Sequence, residues 1–190
     1  HIQGYLVIIH HNRSGEAANA LADNLNKQRA DSATCLQADL NHLNAIETLA
    51  SEALACYQRV DVLINNASSY YPTPFGIATQ QQWDDLQNSN LRGAFFLTQE
   101  LSQELANRQG TVINIVDTYA DSPLQHHSIY NIAKAGLKAM TKTLAIDLAP
   151  KVRVNGVAPG SILWPEILAT GNDPNVIEAR EKVQKKIPLG

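Results

Sequence analysis

The chain has 190 residues, 44% hydrophobic and 17% charged, with a formal net charge of -3. That length fits one domain, 1–190, with enough apolar content for a real core. The slightly acidic balance leaves no basic footprint for nucleic acid, and no apolar run reaches the length of a membrane span.

Taken in order, the pattern alternates. Tyr5 to His10 reads as a strand ending at polar Asn12-Arg13-Ser14, and Gly15 to Gln28 as a helix. Ala33 to Gln37 is a strand ending at Asp39, and Leu43 to Tyr57 a helix. Val60 to Asn65 is a strand, and Pro72-Thr73-Pro74 breaks the chain into a loop. Gln80 to Leu86 and Ser89 to Asn107 are helices, followed by a strand from Thr111 to Val116 with Asp117 at its tip. Ser128 to Leu148 is a helix and Val152 to Val157 a strand. Such alternation predicts an α/β fold, a doubly wound parallel sheet of Rossmann type with helices on both faces. The two cysteines, Cys35 and Cys56, lack metal-ligand spacing and read as buried free thiols, which points to a reducing compartment, the cytoplasm.

In such a sheet, ligands sit outside the carboxyl ends of the strands. Asn12-Arg13-Ser14, Asp39, Asn66 to Tyr70, Asp117 and Pro159 to Ile162 all fall at that edge. Tyr130 and Lys134 are four apart in a helical segment, so they share a face about 6 Å apart along the axis. A lysine ammonium beside a tyrosine favours the phenolate, so the pattern predicts a Tyr130 pKa lowered toward neutrality and a proton donor facing Asp117. His126 and His127 precede this helix without paired ligands and read as surface histidines, with no metal implied.

Three motifs occur in order: Asn65-Asn66-Ala67-Ser68 after a strand, Tyr130-Asn131-Ile132-Ala133-Lys134, and Val154-Asn155-Gly156-Val157-Ala158-Pro159-Gly160. Together they resemble the short-chain dehydrogenase/reductase family. Asp117 stands where the general family has serine. With Asn12-Arg13-Ser14, Gln37-Ala38-Asp39-Leu40 and Asn66 to Pro74, this makes the chain similar to the pteridine reductase branch. The resemblance implies an NADPH cofactor and hydride transfer to a pterin in two steps. It also implies a homotetramer built on the two long helices. It leads us to expect a first strand with a Gly-rich turn before His1, and a last helix and strand after Gly190.

Each site residue has an implied role. The strand tip has no carboxylate for a ribose 2′-hydroxyl. Arg13 offers a fork for a 2′-phosphate, and Ser14 a hydroxyl and a backbone donor. Asp39 is placed at the adenine amino group, with an N-cap of the next helix as its other role, and Leu40 on the adenine ring. Asn66 and Ala67 bring backbone to the cofactor, and Pro159, Gly160 and Ser161 belong to the same site. Ser68 bonds pterin edge and cofactor phosphate, Tyr70 covers one pterin face, and Trp164 begins the variable substrate loop. Asp117, Tyr130 and Lys134 carry proton transfer, Lys134 also holding the nicotinamide ribose, and Asn90 bends a helix and holds a relay water. The alternatives are a short-chain reductase of a ketone such as a 3-oxoacyl thioester, against which Asp117 speaks, and a non-catalytic NADP-binding sensor or partner protein, which has no need of Tyr130 and Lys134.

Overall fold

A computed structural model describes residues 1–160, 173, 175–178 and 181. The chain divides into two compact units, His1–Ala158 and Pro159–Gly190. Within the first, elements run β1 (Val7–His11), α1 (Gly15–Gln28), β2 (Ala33–Gln37), α2 (Leu43–Tyr57), β3 (Val62–Asn65) and α3 (Gln80–Gln87). They continue with α4 (Gly93–Asn107), β4 (Thr111–Ile115), α5 (Ser128–Asp147) and β5 (Arg153–Val157). Strand and helix alternate as expected, and every ladder is parallel. Several strand ends and the ends of α3 and α5 differ from expectation by one or two residues, and α4 begins at Gly93 and not at Ser89.

The expected single sheet is present as two hydrogen-bonded sheets, β1–β2 and β3–β4–β5. Leu63, Val112 and Val154 send side chains from the larger sheet into a core with Ile46 and Leu49 of α2 and Leu97, Leu101 and Leu105 of α4. Period-two alternation sends Ile64 the other way, and it is 56% exposed. Among the described residues no helix is long and apolar enough to cross a membrane. Cys56 is exposed, not buried as expected, because it faces outward near the end of α2; Cys35 is half-buried and both are free.

The helix expected from Ser89 is interrupted. Asn88–Arg92 forms one π turn between α3 and α4. A π turn adds one residue to the helical ring and frees a carbonyl from its usual partner. Asn90 uses this: its side-chain amide donates to the Leu86 carbonyl and to the Ser69 carbonyl, both at 2.9 Å. The π turn is thereby tied to the loop after β3.

Gly93, just past the π turn, lies against the loop after β2. A Cβ there would meet the Leu40 Cβ at 2.9 Å and the Asn88 carbonyl at 3.1 Å. Alanine gains about 1 kcal/mol of helix propensity over glycine, but overpacking a tight contact costs about 1–3 kcal/mol. Gly93→Ala is therefore expected to lower the thermal midpoint by a few degrees. A raised midpoint in a melting experiment would show that the two segments are free to separate.

Candidate active site

The site assembles at the carboxyl ends of β3 and β4 and the first turns of α5. Asp117 follows β4 in extended conformation and caps a short 3-10 turn, Thr118–Ala120. Its Oδ1 accepts from the Tyr119 amide at 2.9 Å, and its Oδ2 accepts from the Tyr130 hydroxyl at 2.7 Å. One oxygen is thus spent on the backbone and the other on the phenol. Tyr130 and Lys134 are 5% and 3% exposed, on the inner face of α5. Lys134 Nζ lies 5.7 Å from the Tyr130 ring centroid and donates to the Ile115 carbonyl at 3.0 Å.

The electrostatics correct one expectation. Tyr130 is pushed above the usual phenol range, not down toward neutrality. Burial is the largest cause, then the hydrogen bond to Asp117 and its charge; the neighbouring Ser68 hydroxyl pulls the other way. Lys134 does not reverse this because its ammonium points at a backbone carbonyl, and burial pushes its own pKa down against the raising effect of Asp117. Tyr130 is therefore a protonated donor at working pH, which suits a reduction that consumes a proton.

The loop after β3 closes over this pair. Ser68 donates to Asn90 Oδ1 at 2.6 Å. Tyr70 is 54% exposed and meets Tyr130 edge-on, centroids 4.9 Å apart at 78°. Asp117, Tyr130, Lys134, Asn90, Ser68 and Tyr70 are thus brought together. Arg13 and Ser14 are exposed at the end of β1, and Ser14 makes no side-chain cap bond. The Asn12 carbonyl accepts from Gln37 Nε2 at 2.9 Å. Asn66 and Ala67 are exposed at the end of β3.

Two roles are revised at the end of β2. Asp39 does not cap α2, whose N-cap is His42; its Oδ1 accepts from the Asn41 amide at 3.0 Å and shapes the turn ahead of the helix. Leu40 is buried in the main core, which leaves its backbone rather than its side chain for a ligand. Pro159 and Gly160 open the second compact unit, while Ser161 and Trp164 lie outside the described residues.

Other participants escaped the sequence reading. His127 is not a plain surface residue: its ring stacks on Tyr70 at 4.8 Å and 14°. Tyr71 donates to Asp85 Oδ2 at 2.8 Å, and burial with that bond pushes its phenol up to about 12. Asn65 and Asn114, paired across β3 and β4, form a buried chain. Asn65 Nδ2 donates to Asn114 Oδ1 at 2.8 Å, and Asn114 Nδ2 to Thr141 Oγ1 of α5 at 2.9 Å. An asparagine at the same level of two apolar strands was the available signal.

A raised phenol pKa has a defined sign. The folded state holds the Tyr130 proton more tightly than the unfolded chain, whose phenols titrate near pH 10 (about 10). The resulting stabilisation is fully present below that value and is lost as pH rises through the folded-state pKa. Ultraviolet titration is expected to show no tyrosinate from position 130 below about pH 10, judged against Tyr130→Phe. Asp117→Asn is expected to bring ionisation to lower pH. A Tyr130-dependent tyrosinate signal near neutrality would contradict the assignment.

The chain matches the family model described as short chain dehydrogenase over residues 1–174. It is 32% identical to pteridine reductase 1 of Leishmania tarentolae over an alignment 228 positions long, covering 100% of this chain and 76% of that protein. It is 29% identical to the 3-oxoacyl-(acyl-carrier-protein) reductase FabG of Staphylococcus epidermidis, covering 98% of this chain and 75% of the relative. It is also 29% identical to 3beta-hydroxysteroid dehydrogenase 1 of Eggerthella lenta, covering 86% and 63% respectively. With the parallel α/β fold and the Asp117–Tyr130–Lys134 cluster, the chain belongs to the short chain dehydrogenase family of oxidoreductases.

Proposed function

We propose that the protein reduces pterins with NADPH. The observation that carries this reading is the 2.7 Å hydrogen bond between Tyr130 and Asp117, a carboxylate where a simple carbonyl reductase of the family has a hydroxyl. The match, over the whole of this chain, to a relative named pteridine reductase 1 supports it.

The residues at the strand ends fit such a cofactor. The side chains of Arg13 and Ser14 are exposed and have no hydrogen-bond partner among the described residues, beside the start of α1, where amide groups favour an anion. His11 Nδ1, two positions before Arg13 at the end of β1, is buried without a hydrogen-bond partner among the described residues. Asn66 and Ala67 expose backbone at the end of β3. Arg13 and Ser14 would hold the 2′-phosphate, Asp39 with the Leu40 backbone the adenine end, and Lys134 the nicotinamide ribose. Bound NADPH would supply hydride to a ring carbon.

The protein supplies the protons and the platform. Tyr70 covers one face of the flat substrate, and Ser68 bonds its edge. Asp117, with Tyr130 behind it, delivers a proton to ring nitrogen in reduction of the oxidised pterin; Tyr130 serves the dihydro form. Asn90 holds the bend that carries Ser68 and Ser69. A ketone reductase is the second reading, favoured by the 3-oxoacyl reductase relative. It places no demand on a carboxylate at position 117. We also propose a homotetramer in the cytoplasm. Phe95 on α4 and Ile132 and Ile146 on α5 are exposed, as an interface between copies would need.

Two outcomes test this. Arg13→Ala is expected to raise KM for NADPH at least tenfold while leaving NADH little changed, since a charge-assisted contact contributes about 1.5–3 kcal/mol. Equal effects on both cofactors would make Arg13 a supporting residue of the fold. Asp117→Asn is expected to cut kcat for oxidised biopterin by roughly 10²–10⁴-fold, and for dihydrobiopterin by less. Full activity of that variant on oxidised biopterin would sink the pterin assignment.

A further inference from the structure

The ring of His127 lies flat on Tyr70, centroids 4.8 Å apart and planes at 14°. Tyr70 in turn stands at 78° to Tyr130. Three rings therefore run in sequence from the loop before α5 to the proton donor. One face of Tyr70 is taken, so a flat substrate has at most the other.

Of the two stacked residues, His127 is the fixed one. Its Nδ1 lies 2.8 Å from the Gln125 carbonyl and, since a carbonyl only accepts, carries the hydrogen. Its backbone amide donates to the Leu124 carbonyl at 3.3 Å, and its carbonyl accepts from the Asn131 amide at 2.9 Å. It also forms an isolated parallel bridge with Thr73. Thr73 is fully buried; its amide donates to the His126 carbonyl at 2.6 Å, and its carbonyl accepts from Ser128 Oγ at 3.0 Å. The end of the substrate loop is thus spliced to the start of the helix that carries Tyr130. Tyr70, half exposed and three residues before Thr73, has no hydrogen-bonded anchor of its own among the described residues, and His127 and Tyr130 supply its ring contacts.

We infer that His127 is a positioning residue: by occupying one face of Tyr70 it sets the tilt at which Tyr70 presents its remaining surface to a flat heteroaromatic substrate. This rests on the pterin reading for the substrate, and on geometry alone for the stack. A ring with one hydrogen bond of its own, on a backbone tied to Leu124, Asn131 and Thr73, behaves as a wall, not as a plug that a substrate displaces.

The variants His127→Ala, His127→Phe and Tyr70→Leu separate the possibilities. An aromatic pair is worth a roughly twofold to tenfold change in binding. His127→Ala is expected to raise KM for biopterin by about that factor, leaving kcat and the Kd for NADPH unchanged. His127→Phe, which keeps the ring and discards the nitrogens, is expected to restore the wild-type KM. A general loss of structure would lower the melting temperature and kcat without rescue by Phe. An unchanged KM in His127→Ala overturns the proposal, and a lowered KM shows the ring to be a plug. Proton NMR of the ligand-free protein supplies a readout independent of turnover. Ring protons of His127 are expected upfield, moving to ordinary values in Tyr70→Leu. If the wild type reduces no pterin but the upfield shift is present, the substrate reading fails and the stack stands. Ordinary shifts in the wild type overturn the stack.

Discussion

The hydrogen bond between Tyr130 and Asp117 is the contact on which the site depends. It joins the tip of β4 to the third residue of α5, two residues 13 positions apart in sequence, and holds them at 2.7 Å. It also settles where the proton sits. The phenol donates, the carboxylate accepts, and burial together with the negative charge keeps the phenol neutral. A charge-assisted bond of this kind is worth about 1.5–3 kcal/mol, so it also anchors the start of the helix. Lys134, one turn further along, is buried by the same face and aimed at the end of β4. A reduction draws on the protonated form that this arrangement favours.

The surroundings keep that contact in place by pairing buried polar groups rather than by apolar packing alone. Asn65, Asn114 and Thr141 link β3, β4 and α5 beneath the site. Asn90, in the π turn between α3 and α4, accepts from the Ser68 hydroxyl and donates to the Ser69 carbonyl. Leu86, Ile129 and Tyr130 form a small apolar cluster of their own, with Tyr71 and Tyr119 against it. Leaving any of these amides unpaired would cost about 1–3 kcal/mol, so each link constrains the geometry of the next.

Much of this was readable in the sequence. Apolar runs such as Val112 to Val116 mark buried strands because a parallel sheet covered by helices needs them. The i, i+4 spacing of Tyr130 and Lys134 places both on one helix face whatever the surroundings. Other features depend on three-dimensional neighbours. The direction of the Tyr130 shift follows from burial and from which group its hydroxyl meets, not from the nearby lysine. The π turn at Asn90 has no periodicity that separates it from an ordinary helix. His127 stacks on a residue 57 positions earlier, and the Leu40 side chain packs in the core beside Gly93. That the strands pair as two sheets and not as one is a property that strand-like patterns do not encode.

The central claim is that a carboxylate–phenol pair at this position serves pterin reduction. Steady-state NADPH oxidation by the wild-type protein, with biopterin, dihydrobiopterin and an acetoacetyl thioester compared side by side, tests it most directly. The account predicts turnover of both pterins and none of the thioester. Brisk turnover of the thioester with no NADPH oxidation on either pterin would contradict it and leave a ketone reductase with an aspartate beside its tyrosine.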